Sequence, residues 1–110
     1  MLTPNSIPNY VFTDFVGLPS GVYSLSVWAK DSANAGGQFL IEQSAQSGWK
    51  ISGIMNVTNS DWQQLTLVDS LTLSPTDTVR IVLRGGGGEF LGNMTLYHSV
   101  TLVRLGGIIN

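Results

Sequence analysis

The sequence predicts an all-β domain, an antiparallel β-sandwich, on three observations. Turn signals recur every eight to twelve residues or so, the spacing of a sandwich or barrel rather than of βαβ units. Apolar residues alternate with polar ones at period two in several stretches, and none carries a convincing helical period. The chain has 110 residues, of which 43% are apolar, enough for one core and one domain.

Residues 1–19 read as an N-terminal arm and first edge strand, and residues 20–110 as the body of the sandwich. Met1 to Asn9 holds two prolines, so an extended arm is expected there, one that needs a surface to lie on. Tyr10 to Val16 is a short strand. After Leu18-Pro19-Ser20-Gly21 comes the clearest strand, Val22 to Lys30, with Tyr23, Leu25, Val27 and Ala29 on one face. Ser24, Ser26, Trp28 and Lys30 fall on the other.

Asp31 to Gly37 is a polar loop, and Gln38 to Gln43 follows with Phe39 and Ile41 together. Trp49 to Val57 sets Trp49, Ile51, Met55 and Val57 against Lys50, Ser52 and Asn56, with Gly53 marking a bulge or a close backbone approach. Trp62 to Val68 and a short Leu71 to Leu73 lead to the turn Ser74-Pro75-Thr76-Asp77. Val79 to Leu83 resumes the alternation. Gly85 to Gly88 is a loop, and Met94 to Leu105 is the last strand, with Leu96, His98, Val100 and Leu102 on one face.

Composition narrows the function. Charged residues make up 11% of the chain and mean hydropathy is +0.20, which leaves little charge to coat a surface. Either Ser, Thr, Asn and Gln supply the polarity, or part of the outside is covered by other subunits. Five Lys and Arg, scattered through a chain of net charge −2, build no phosphate-binding track, so nucleic acid is not expected as a partner. There is no cysteine, and no apolar run approaches the ~20 residues that span a bilayer. The start lacks a basic and an apolar leader region, so the expectation is a soluble chain with no targeting segment.

Three segments together resemble a known family: Gly21-Val22-Tyr23-Ser24-Leu25-Ser26-Val27-Trp28-Ala29-Lys30, then Ser60-Asp61-Trp62-Gln63-Gln64, then Val79 to Leu83 followed by Leu96-Tyr97-His98-Ser99-Val100-Thr101-Leu102. In order and spacing they are similar to the carbohydrate-binding-module jelly rolls of families 4, 9 and 22, within the galactose-binding-like group. The resemblance covers about residues 20 to 105 and implies a jelly-roll sandwich that binds rather than catalyses. His98 and Ser99 stand where the family pattern has paired Asp, one of which often helps to hold a structural calcium. No calcium and no other cofactor is therefore expected. The family's opening strand is missing or replaced by the arm, which leaves a sheet edge for a neighbouring subunit to complete.

Candidate binding residues are Trp28, Lys30 and Trp49. Trp28 with Lys30 on the outward face is how a module stacks an indole on the C–H groups of a sugar ring; the competing reading covers Trp28 with a loop, the arm or another subunit. Trp49 is either core or loop-exposed, and Trp62 is expected to plug the core. His98 is read as an inward, hydrogen-bonded core group.

Catalysis is not expected, since no Gly-x-Ser-x-Gly elbow is present and the acids fall mostly in turns. The glycine run lacks the Lys-Ser/Thr of a phosphate-binding loop. Two functions remain. One is a virion-surface protein, such as a phage capsid-decoration, head-fibre or tail-adhesin subunit, acting as a homo-oligomer or within a capsid. The other is an extracellular carbohydrate-binding module of a secreted glycoside hydrolase or adhesin.

Overall fold

A computed structural model describes residues 10–31, 36–45, 48–85 and 95–107. The expected arm 1–9, most of the glycine run and the tail 108–110 lie outside the described residues. Seven strands follow in order: β1 (Tyr10–Val16), β2 (Gly21–Asp31), β3 (Gln38–Ala45), β4 (Gly48–Asn56), β5 (Gln63–Leu71), β6 (Thr78–Arg84) and β7 (Thr95–Gly106). They form two antiparallel sheets, one ordered β1-β6-β3-β4 and the other β5-β2-β7. The chain is the β-sandwich that its alternation predicts. One boundary differs: the separate segment expected at Leu71 to Leu73 is the end of β5, which continues to Leu71 along the partner β2.

β2 shows why the alternation is decisive. Its odd-numbered residues from Tyr23 to Ala29 are almost wholly covered, and its even-numbered residues are half-exposed. Tyr23, Leu25, Val27 and Ala29 meet Phe39 and Ile41 of β3, Val79 and Ile81 of β6, and Val57 and Leu71 in one cluster between the sheets. Burying side chains of this size contributes roughly 1.5–3 kcal/mol each, which makes this cluster the main source of stability in a chain without disulfides.

Polar ties hold the layers in register. The Tyr23 hydroxyl donates to the Pro19 carbonyl at 2.6 Å. The Tyr97 hydroxyl, projecting from β7, lies 2.6 Å from the Arg84 carbonyl oxygen and 2.9 Å from that of Gln38, and so joins the two sheets. Burial, with the nearby Asp31 carboxylate, pushes this phenol above its ordinary pKa, so it remains a donor. Asp31 is itself buried, accepting from the Gly36 amide at 3.1 Å and the Thr95 hydroxyl at 3.0 Å.

Three register shifts interrupt the described ladders: one lies at the end of β7, where Leu105 is extra between Val22↔Gly106 and Tyr23↔Arg104, and the other two set the direction of the side chains beyond them. Between Ile41↔Gly53 and Glu42↔Ile51 the register shifts, and Ser52 is the extra residue on β4. The disturbance expected at Gly53 therefore sits beside it, and Gly53 is also a close approach: a Cβ there would lie 3.2 Å from Asp69 Oδ2. Between Ser26↔Thr101 and Trp28↔His98, β7 spends two residues, Ser99 and Val100, where β2 spends one. Ser99 takes a φ of 54°, in the left-handed region that the first residue of one type of bulge adopts.

Candidate functional site

These two bulges correct the expected faces. On β4, simple alternation keeps Trp49 and Ile51 with Met55, on the inside. The extra Ser52 reverses the parity, so Met55 packs on the core while Trp49 and Ile51 point outward, 43% and 48% exposed. On β7, the expected inward His98 is instead exposed on the outer surface, and Tyr97 takes the inward position. Trp62, expected in the core, is 41% exposed at the start of the segment leading into β5.

The three candidate binding residues therefore divide between two surfaces. Trp28 and Lys30 lie on the outer face of β5-β2-β7, with the sandwich between them and Trp49 on the outer face of β1-β6-β3-β4. On the three-stranded face the Trp28 and His98 rings run parallel with centroids 6.0 Å apart, and Trp62 meets His98 edge-on at 4.6 Å. Lys30 Nζ sits 5.8 Å from the centre of the Trp62 ring. The indoles here are engaged with each other's neighbours, and Trp28 is half-covered.

The four-stranded face is built differently. Its register places Asp14, Arg80, Glu42 and Ile51 in one row across the sheet, and Phe12, Val82, Leu40 and Ile54 in the next. Leu40 and Val82, on the two middle strands, are covered, whereas Phe12 and Ile54 on the edge strands are about half exposed. Burial thus falls from the middle of this face to its two edge strands.

Across the adjoining rows the Arg80 guanidinium lies between two rings, 4.1 Å from the Phe12 centroid and 4.0 Å from that of Trp49. It also grips Asp14 through two hydrogen bonds, from Nε to Oδ1 at 2.7 Å and from Nη2 to Oδ2 at 2.9 Å. This paired contact holds the Asp14 carboxyl below its ordinary pKa.

Stacked and clamped, Arg80 has little rotational freedom, and it fixes both rings by their inner faces. An indole margin, a planar cation and carboxylates in one row form a surface with both flat apolar area and directed donors and acceptors. Asp14 and Glu42 reach it because they sit on strands; the expectation that the acids lie mostly in turns hid them. Among the described residues no group of three or more His, Cys, Asp or Glu gathers as a metal site.

No family model matches the chain, and no curated protein matches it either. Among solved structures the likeness is to carbohydrate-binding modules, and the chain has a carbohydrate-binding-module-like fold. One similar structure is the family 61 module TmCBM61 in complex with β-1,4-galactotriose, at 16% identity and a TM-score of 0.51 over 86% of this chain. Another is the Clostridium thermocellum xylanase 10B fragment, a family 22 module with its family 10 hydrolase module, complexed with xylohexaose, at 15% identity and a TM-score of 0.50 over 90% of this chain. The chain spans 61% of the length of the first and 20% of the second.

Proposed function

We propose that the protein is a non-catalytic glycan-binding module whose binding surface is the outer face of the four-stranded sheet. The observation that carries this reading is the Phe12–Arg80–Trp49 stack with Asp14 clamped beside it. The exposed face of Trp49 receives the C–H face of a sugar ring, and Arg80, Asp14 and Glu42 address its hydroxyl groups.

The same proposal includes where the module works: on the surface of an assembled particle such as a virion, as a homo-oligomer. The low charge content and the exposed apolar residues of the strand edges support that part. An excised module of an extracellular hydrolase accounts for the same fold and binding face without the assembly.

Titration calorimetry against a panel of β-linked oligosaccharides, including galactotriose and xylohexaose, tests the glycan reading. Trp49→Ala is expected to weaken binding at least tenfold, which corresponds to about 1.4 kcal/mol. Trp28→Ala is expected to leave affinity within twofold. Binding that survives Trp49→Ala and disappears in Trp28→Ala moves the site to the other sheet, and no binding to any glycan overturns the reading.

A further inference from the structure

The two sheets end on the same flank in β1 and β7, and among the described residues neither strand has a second neighbour. A cavity of about 340 Å³ opens between them, walled by Val11 and Phe15 of β1, Leu83 of β6, and Val100 and Leu102 of β7. Val11 and Val16 keep 65% and 67% of their surface exposed, and Phe12 and Phe15 keep 49% and 37%.

Sheet edges are usually blunted by Lys, Pro or a bulge. β1 has none of these: its pairing with β6 runs unbroken from Tyr10 to Val16, and its one charge, Asp14, is neutralised by Arg80.

We infer that β1 is a self-pairing edge, to which a second copy of this chain docks through its own β1, antiparallel, about a two-fold axis at Thr13. A two-fold axis joins one surface to itself, and antiparallel pairing of a strand with its own copy has that symmetry. Because the axis preserves the faces of the sheet, only registers that keep side-chain parity are allowed.

Thr13 is the midpoint of β1, so centring there pairs all seven residues. Asp14 then lies opposite Phe12 of the second copy, and Val11 opposite Phe15, so no like charges meet and the apolar pairs close over the cavity. Centring on Asp14 sets carboxylate against carboxylate, and centring on Phe12 pairs only residues 10–14. Val11, Phe12, Phe15, Val16 and Val100 expose on the order of 400 Å² per copy, about half of what a standard interface buries per partner. The paired main chains and the cavity walls contribute the remainder.

This inference deepens the assembly part of the proposed function and is independent of the glycan part. Its product is a sheet of eight strands across two copies, with both Trp49 residues on the same outer face and at its two far edges, on β4.

The chain has no cysteine, so Thr13→Cys introduces a unique thiol. Light scattering on the full chain is expected to give twice the 11.8 kDa chain mass at micromolar concentration. Mild oxidation is expected to cross-link Thr13→Cys and to leave Ser26→Cys, at the centre of the opposite sheet's outer face, uncoupled.

Val11→Lys is expected to be monomeric with an unchanged circular dichroism spectrum and unchanged glycan affinity per chain. Should Val11→Lys fail to fold, the cross-linking contrast decides. A wild-type monomer at ~100 μM overturns the inference, as does a monomer whose Thr13→Cys thiol reacts only after residues 1–9 are removed, which shows the edge filled within one chain. A dimer in which Ser26→Cys couples and Thr13→Cys does not overturns it too. Loss of glycan binding alone leaves it standing.

Discussion

The two outer faces of the sandwich carry similar numbers of aromatic side chains and use them in opposite ways. On the three-stranded face His98 stacks beside Trp28 and takes the edge contact of Trp62, so ring meets ring. On the four-stranded face the rings meet a cation, and Phe12 and Trp49 hold Arg80 between them while Asp14 fixes it from a third side. Ring-on-ring packing spends aromatic surface internally, whereas a cation between two rings leaves their far faces open and places charge among them. What distinguishes a recognition surface from a patch of aromatics is therefore the group that holds the rings apart.

The largest effect that separates the two faces is expected from Arg80→Ala. It removes both ring contacts and strands Asp14, so glycan affinity should fall more than tenfold in calorimetry. Stability in urea should fall by about 1–2 kcal/mol, since the group is largely covered by its neighbours. His98→Ala, the matching change on the other face, should leave glycan affinity within twofold. Equal losses from the two variants erase the distinction between the faces.

A smaller effect is expected from Tyr97→Phe, which loosens the tie between the sheets and bears on both faces alike. The cost should be about 1 kcal/mol in urea unfolding, with no preference for either face in glycan binding. A binding defect larger than the stability defect would mean that this phenol aligns the rows carrying Trp49.

The smallest effect is a pH dependence confined to one face. Asp14 has a folded pKa below its ordinary 3.8, so its pair with Arg80 contributes in full above that value and is lost as pH falls through the folded value. In a variant with Trp28 and Trp62 replaced by Phe, the remaining Trp49 emission should shift as the solution is acidified below about pH 4, because releasing Asp14 frees Arg80. Asp14→Asn should abolish that shift, and a shift that persists removes the carboxylate from the account.

The sandwich was legible because β2 alternates without interruption and the odd-numbered residues of β3 and β6 share its period, so that Tyr23, Leu25, Val27, Phe39, Ile41, Val79 and Ile81 are covered as alternation selects; Leu40 and Val82, also covered, fall outside that pattern. The faces of β4 and β7 were not legible. Period-two reading assumes one residue per step on both strands, and Ser52 and the Ser99–Val100 pair violate it; Gly53 signalled the first bulge, while nothing in the residue types signalled the second. The candidate site suffered from the same cause. Trp28 and Lys30 were chosen as outward neighbours on one strand and Trp49 was left between core and exposed loop, but no local pattern states on which sheet a residue lies. Phe12, Asp14 and Arg80 were invisible as a group because they come from strands distant in the chain and meet only through the β1–β6 register.

Ser99 gives this fold a place where chain length can change without consequence for either surface. The bulge takes up one extra residue of β7, so the residues on both sides of it keep their partners on β2 and their faces. Deleting the Ser99 codon would leave Val100 opposite Val27, with His98 still opposite Trp28 on the outer surface and Tyr97 still opposite Ala29 between the sheets. Gain or loss of one codon at this point is absorbed locally, so the strand can drift in length while the order of strands and the chemistry of each face stay in place.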